Sequence, residues 1–567
     1  MQDSPDDADD RPAEAATQDA GSPFRSPTPY DELRYKRISS STHPSATASA
    51  LQPQPPVTFR ELLGVLSLVV LGDQTIYRGH GYAGYALLFL LAPFLLWWSS
   101  NERLHGRGKW IVSLMLAALV GKLLWCGSHS LVFIGFTLTV AFSMTLVGLT
   151  PYAIEVISFA LQTFHAGFLG IIKHSRRINR SLSYAPQVGL LSVVLPILVF
   201  WIFGVIFVMA NPDLSQWFGE GLNEVFKRLH RWLNRFSPDF LEVGFWLSVW
   251  WIVAGLLRPR IDRTQYASST DIDVLEEVAD SVPGHIYPAY RNMLVTVVVL
   301  FAAYLVFEFQ TLWFREFPKG FHYSGYAHEG AAWLTVALGL ATVILSLVLR
   351  GGLMQDQRIG VLKRLAWLWS LENLLLAIAI YNRLFIYVGF NGMTRMRIVG
   401  IYGMSAVVVG FIMVIWKIAR QKDFLWLVRR HLWTLAIAFY LLAMTPMDAI
   451  VVRYNVQRIL AGDHAPAVQI SVHPINSEGI LLLQPLLKCD SEIIREGVRA
   501  ILADYHQQLE FTAAEREKQG WTTYQLADRL ALEEFRRQES HWQRYVDDPL
   551  RKEQVLKRFH EYAYQWY

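Results

Sequence analysis

The chain has 567 residues, of which 53% are hydrophobic and only 18% charged, with 20 Trp, 24 Tyr and 32 Phe. So much apolar content with so little charge excludes an ordinary soluble protein and points to a bilayer. Lys and Arg (52) nearly balance Asp and Glu (48), which speaks against nucleic acid as a partner, and two cysteines, Cys126 and Cys489, are too few for a disulfide framework or a cysteine-rich zinc centre.

Residues 1–57 are rich in Asp, Ser, Pro, Ala and Thr and lack aliphatic clusters. Such a segment cannot bury enough apolar surface to offset chain entropy, so a disordered tail is predicted. It has neither the basic start nor the apolar core of a secretory signal, so the first hydrophobic segment is expected to stay in the mature chain.

From Glu61 onward apolar runs follow one another closely, and each span needs roughly 20 mostly apolar residues. Eleven spans are predicted, at 59–72, 81–99, 109–127, 129–150, 185–209, 239–257, 291–310, 328–349, 364–387, 396–417 and 431–450. The first is short enough to be a buried or re-entrant helix instead. The fold class is therefore an all-α polytopic transmembrane helix bundle over 58–452, with the tail before it and a small helical C-terminal domain over 453–567. In this arrangement the clusters Arg103–Lys109, Lys173–Arg180, Arg258–Arg263, Arg350–Arg364 and Lys417–Arg430 fall on one side. The charge rule makes that side cytoplasmic, with the amino terminus inside and the C-terminal domain outside.

Two segments strain that arrangement. Pro151 to Ile172 is apolar except for Glu155, Ser158, Gln162 and His165, whose spacing puts them on one helical face. Spanning would carry Lys173–Arg180 to the wrong side, so an interfacial or partly inserted helix near 151–172 is favoured. Over 217–236, Phe218, Leu222, Val225, Leu229, Trp232 and Phe236 form an apolar stripe beside Lys227, Arg228, Arg231 and Arg235. That pattern predicts a second interfacial helix.

Polar groups at membrane depth are either paired within the bundle or functional. Glu372, Asn373 and Arg383 share one span, but Glu372 and Arg383 stand three turns, about 16 Å, apart, so each needs another partner. Together with Glu155 and His165 they form the candidate intramembrane polar site. Glu308 and the pair His328 and Glu329 flank the loop Thr311–Ala327, which carries His322, yet their spacing matches no established zinc pattern, and no metal or cofactor is expected. Lys122 is read as reaching for the nearer end of its span. Asp73 follows the first span in a short outer loop, a placement similar to the catalytic Asp of membrane glycosyltransferases that use lipid-linked donors. Gly79-His80-Gly81-Tyr82-Ala83-Gly84 fits G-x-G-x-x-G as a string but opens a membrane helix rather than following a strand, so it carries no nucleotide reading.

The stretch Tyr381-Asn382-Arg383-Leu384-Phe385-Ile386-Tyr387 through Gly392-Met393-Thr394-Arg395-Met396-Arg397 resembles bacterial membrane proteins grouped as domain of unknown function 4173, with its relative 4153. In that family a helix ends in Tyr or Phe, a Gly-Leu-Thr turn follows and an Arg opens the next helix; here Met393 replaces the Leu. Tyr326-Ala327-His328-Glu329-Gly330 looks like the family's Tyr-Ala-Arg-x-Gly segment, with His328 in place of Arg, and Arg453-Tyr454-Asn455-Val456 is similar to its Asn-containing segment after the last span. The resemblance implies a multi-pass bacterial inner-membrane protein and brings no activity. Gly392 permits a tight reversal, the Thr394 hydroxyl suits a helix cap, and Arg395 and Arg397 suit headgroup anchoring, which makes this turn the candidate headgroup site.

With no assembled catalytic set, the expected function is a noncatalytic envelope scaffold or sensory partner. Membrane lipids surround it, and a protein partner engages the C-terminal domain. The alternatives are a secondary transporter using Glu372, Asn373 and Arg383, and a lipid-directed transferase using Asp73 or Glu308.

Overall fold

The computed structural model describes residues 56–100, 107–181, 240–259, 286–310, 333–341, 344, 359–420, 422 and 424–565. The expected tail up to residue 55, the span 185–209, the interfacial helix 217–236 and residues His322, His328 and Glu329 lie outside them. No β-strand occurs among the described residues.

The helices are α1 (Phe59–Gly72), α2 (Tyr82–Ser99), α3 (Arg107–Cys126), α4 (His129–Leu146), α5 (Ala153–Ser181), α6 (Phe240–Leu257), α7 (Ile286–Glu308), α8 (Ile359–Asn391), α9 (Arg395–Arg420) and α10 (Phe424–Met444). After them come α11 (Met447–Leu460), α12 (Ala467–Val472), α13 (Glu492–Gln519), α14 (Leu526–Arg537), α15 (Gln543–Asp547) and α16 (Pro549–Tyr564). Local chemistry sets several starts: Thr58 Oγ1 accepts from Glu61 N at 3.3 Å and Ser128 Oγ from Leu131 N at 3.4 Å. Within the apolar helices Ser67, Thr75, Ser99, Thr139, Thr163 and Ser370 return their hydroxyls to the carbonyl one turn back. This satisfies them where no water is available.

Among the described residues eight helices are long and apolar enough to cross a membrane, namely α2, α3, α4, α5, α7, α8, α9 and α10, and α6 is a shorter apolar helix. The chain is a multi-pass membrane protein. The first predicted span is a 14-residue helix continued by a π-helical turn, Asp73–Tyr77. The last, expected at 431–450, lies at Phe424–Met444, because Pro446 cannot continue it and caps α11 instead. Helix α11 runs from Met447 to Leu460, so the expected boundary at 453 falls inside it.

Three apolar cores organise these helices. One joins α1–α4 with parts of α5 and α6, around Phe89, Leu96, Leu123, Phe142 and Phe159. A second joins α7, the helical segment 333–341, α8, α9 and the start of α10, around Leu294, Leu338, Trp369, Phe411 and Leu427. The third, around Val456, Leu483, Leu502, Phe535, Trp542 and Phe559, belongs to the C-terminal domain. Helix α10 ties the first two together: Tyr440 Oη donates to Met115 O at 3.0 Å, Trp433 Nε1 to Pro151 O at 3.1 Å, and Arg429 pairs with Glu155 at 2.7 Å.

The bundle has two distinct ends. At one, the C-terminal domain meets the start of α2, the end of α3 and the α8–α9 turn. His80 N donates to Thr522 Oγ1 at 3.1 Å, Gln525 Nε2 to Leu123 O at 3.0 Å, Gly127 N to Gln525 Oε1, and Lys122 pairs with Glu478. Gly81 permits the approach, since a Cβ there would lie 2.5 Å from Thr523 Cα. At the other end lie the start of α1, the end of α6, the end of α9 and the start of α10, with Arg258, Lys417, Arg420, Arg429 and Arg430.

Helix α5 keeps to this basic end throughout. Near its start Glu155 pairs with Arg429, two turns into α10, and near its finish His174 meets Glu61, in the first turn of α1. Those two α5 residues stand about 28 Å apart along the helix axis. A helix with both ends at the same end of the bundle runs across it, not along it. Its side chains Ile154, Ile157, Leu161 and Phe164 point outward and exposed.

Candidate functional site

The turn between α8 and α9 is built as the sequence suggests. Gly392 takes φ +84°, open to glycine, and Thr394 Oγ1 accepts from Arg397 N at 3.3 Å to cap α9. The segment around Asn455, some sixty residues later, closes onto this turn. Asn455 Oδ1 accepts from Met393 N at 2.7 Å and its Nδ2 donates to Met393 O at 2.9 Å. A Cβ at Gly392 would lie 2.6 Å from Asn455 Oδ1, so the glycine is required twice, for its φ and for the space.

Around that clasp, side chains take up carbonyls at the end of α8 and in the turn after it. Arg458 donates to Val388 O at 2.9 Å, Gln469 Nε2 to Asn391 O at 3.0 Å, and Arg397 to Gly392 O. Arg397 also stacks 3.8 Å above the Tyr387 ring. Arg395 grips Asp448 through Nε and Nη2, and its Nη2 also donates to Pro474 O at 2.9 Å. The two arginines expected to anchor headgroups therefore face protein acceptors, and the candidate headgroup turn is the seat of the C-terminal domain.

The intramembrane polar residues do not form one site. Arg383 finds the partner that its span could not offer: its Nε donates to Glu308 Oε1 at 2.5 Å, its Nη2 to Glu308 Oε2, and Tyr304 Oη donates to the same carboxylate at 2.9 Å. Glu308 and Arg383 are both buried. Glu372 and Asn373 are buried elsewhere on α8, and their Oε2 and Oδ1 have no hydrogen-bond partner among the described residues, nor has the buried indole nitrogen of Trp369 one turn away. Asn373 Nδ2 donates to Trp369 O at 2.7 Å. Glu155 is engaged by Arg429, while His165 is exposed on α5 and stands apart from it.

One buried constellation has no counterpart in the sequence reading. Glu61, His174 and Arg258 join α1, α5 and the end of α6, all three buried. Arg258 holds both Glu61 oxygens, and His174 Nε2 lies 2.7 Å from Glu61 Oε1. Trp250 Nε1 donates to His174 Nδ1 at 3.1 Å, so a neutral imidazole with its proton on Nε2 satisfies every partner. The only advance signal was Glu61 itself, an acid opening an apolar run. Lys122 reaches the near end of α3 as expected and meets Glu478 there.

Asp73 and Glu308, the carboxylates of the transferase alternative, belong to different cores, each gripped by its own arginine. Asp73 accepts from Trp246 Nε1 at 2.9 Å and pairs with Arg78 at 3.0 Å. Among the described residues no group of three or more His, Cys, Asp or Glu is placed to hold a metal ion.

A family model described as a domain of unknown function (DUF4153) matches residues 83–473. The chain belongs to that family. The DUF4153 segment runs from the first turn of α2 to just beyond α12, so it contains the bundle helices after α1 and both partners of the Gly392–Asn455 clasp. No curated protein and no solved structure matches the chain.

Proposed function

We propose that this DUF4153 protein is a noncatalytic envelope component of the bacterial inner membrane, a scaffold or sensory partner whose C-terminal domain engages another protein. The observation that carries this reading is the seating of that domain: side chains of α11, α12 and the Trp521–Gln525 segment bind backbone groups of the segment leading into α2, of α3 and of the α8–α9 turn. A force or partner acting on the domain is thereby transmitted to four helices of the bundle. The basic clusters gather at the opposite end, which the charge rule assigns to the cytoplasm, so the domain faces outward. The transverse α5, with basic residues at its far end, supports the same orientation as an interfacial helix.

Phe511 and Leu550, each 73% exposed, are apolar handles on this domain. A photo-crosslinking side chain at either position in intact host membranes is expected to trap one discrete protein adduct. Capture of none from both positions contradicts the partner reading.

A second reading has one observation in its favour. Glu372, Asn373 and Trp369 present three buried polar atoms with no partner among the described residues, within little more than one turn of α8, a composition suited to a proton or ion on a transport path. In proteoliposomes this reading requires a proton- or cation-dependent flux that Glu372→Gln abolishes. Its absence leaves the scaffold reading standing alone.

A further inference from the structure

A cavity of about 710 Å³ lies between the segment 333–341, α9 and α10, lined by Gly339, Tyr402, Gly403, Gly410, His431 and Leu442 among others. Its few polar side chains are already spent: Tyr402 Oη on Thr445 Oγ1 at 2.8 Å, His431 Nε2 on Gly410 O at 3.0 Å, and Thr434 Oγ1 on Arg430 O at 3.0 Å. What remains for an occupant is hydrocarbon. Gly339 and Gly403 keep the walls apart, since a Cβ at either would meet nothing within 4 Å. Along α10 the lining runs from Leu427 to Leu442, a rise of about 22 Å. One leaflet of hydrocarbon is about 15 Å deep, so the groove accommodates a single leaflet's chain along its length.

The basic end of this groove is marked. On α9, Tyr402, Ala406 and Gly410 share a helical face with Lys417 and Arg420 further on. On α10, Arg430 stands at the rim beside Leu427 and Thr434 and lies over the rings of Trp426 and Trp433, at 5.7 and 5.9 Å. Arg420 lies 5.7 Å over Trp416. None of these cations lines the groove itself: Arg430 adjoins the lining residue His431, and Arg420 lies ten residues, about 15 Å, beyond Gly410 towards the basic end, the side on which the phosphate of a chain in the groove would lie.

We infer that this groove binds one acyl chain of an anionic bilayer phospholipid, with the phosphate held at Arg420 and Arg430. Lipids of the leaflet on the basic side are the source. The site is separate from the Gly392 turn, which lies at the opposite end of the bundle.

The test is native mass spectrometry of the full chain released from discs of equal phosphatidylglycerol and phosphatidylcholine. The wild type is expected to retain one phosphatidylglycerol, preferred about tenfold over phosphatidylcholine. Gly403→Phe, and independently Gly339→Leu in case the first misfolds, should lower that retention about tenfold. Arg420→Gln with Arg430→Gln should abolish the headgroup preference while leaving the chain-filled groove. Equal retention of both lipids by the wild type, an adduct untouched by either groove-filling variant, a free fatty acid in place of the phospholipid, or a lipid-free dimer would each overturn the assignment.

Discussion

At the scale of single residues, the buried charges act mainly as ties between helices. Arg383 and Glu308 are 75 positions apart in sequence and meet deep in the second core. Glu308→Gln leaves the Arg383 charge without its counter-ion, at an expected cost of about 3–5 kcal/mol, read as a large fall in unfolding temperature in discs. Replacing both, Glu308→Leu with Arg383→Met, should recover most of that loss. The sequence told that each residue needed a partner, because ions are rare at membrane depth. It could not tell which, because no spacing rule links α7 to α8. Glu61 was overlooked for a related reason: an acid in a first helical turn reads as a favourable end group, and only the fold shows it buried against His174 and Arg258. Outside the bundle, burial pushes the Tyr505 hydroxyl up to about 12, beside Ser477 Oγ at 2.8 Å. A pKa raised above the unfolded value near 10 means that the neutral form stabilises the fold. This contribution is complete below about pH 10 and is lost as pH rises towards about 12. Tyr505→Phe is expected to flatten the alkaline limb of the domain's stability profile, which chemical denaturation at stepped pH measures; an unchanged limb contradicts the assignment.

At the scale of elements, small residues and prolines decide where helices meet and stop. Pro446 moved the last span seven residues upstream of its expected start and began α11, which then carries Asn455 into the Gly392 turn. Both partners of that clasp stood out in the sequence, because a Gly-x-Thr turn and a polar Asn after a span are unusual there. Their meeting was not legible, since it depends on the path of two intervening helices. For α5, the loop charges disfavoured carrying Lys173–Arg180 across the membrane. Gly81 shows how little room the docking leaves. Gly81→Val would drive side-chain atoms into the Thr523 backbone, costing about 1–3 kcal/mol of contact. Amide exchange at Thr522–Gln525 should then speed up by about tenfold or more, while α8 is unaffected. Gly121→Ala, with open space around it, serves as the silent comparison.

At the scale of the whole molecule, two membrane cores are bridged by α10 and capped by a third, helical core at one end. The helical membrane character was legible in the composition; the intimacy of the cap was not, because its contacts are single polar side chains on backbone groups, scattered over four helices. The DUF4153 match ends just beyond α12, and the clasp residues all lie within it except Pro474. The measurement that bears most directly on this account is a cross-link between the bundle and its cap on the outer face. In a chain with Cys126→Ser and Cys489→Ala, the pair His80→Cys and Thr522→Cys would be treated in intact spheroplasts with a short, membrane-impermeant bis-maleimide. A docked, outward-facing domain predicts rapid intramolecular cross-linking without permeabilisation. Cross-linking only after permeabilisation, or none at all, would contradict it.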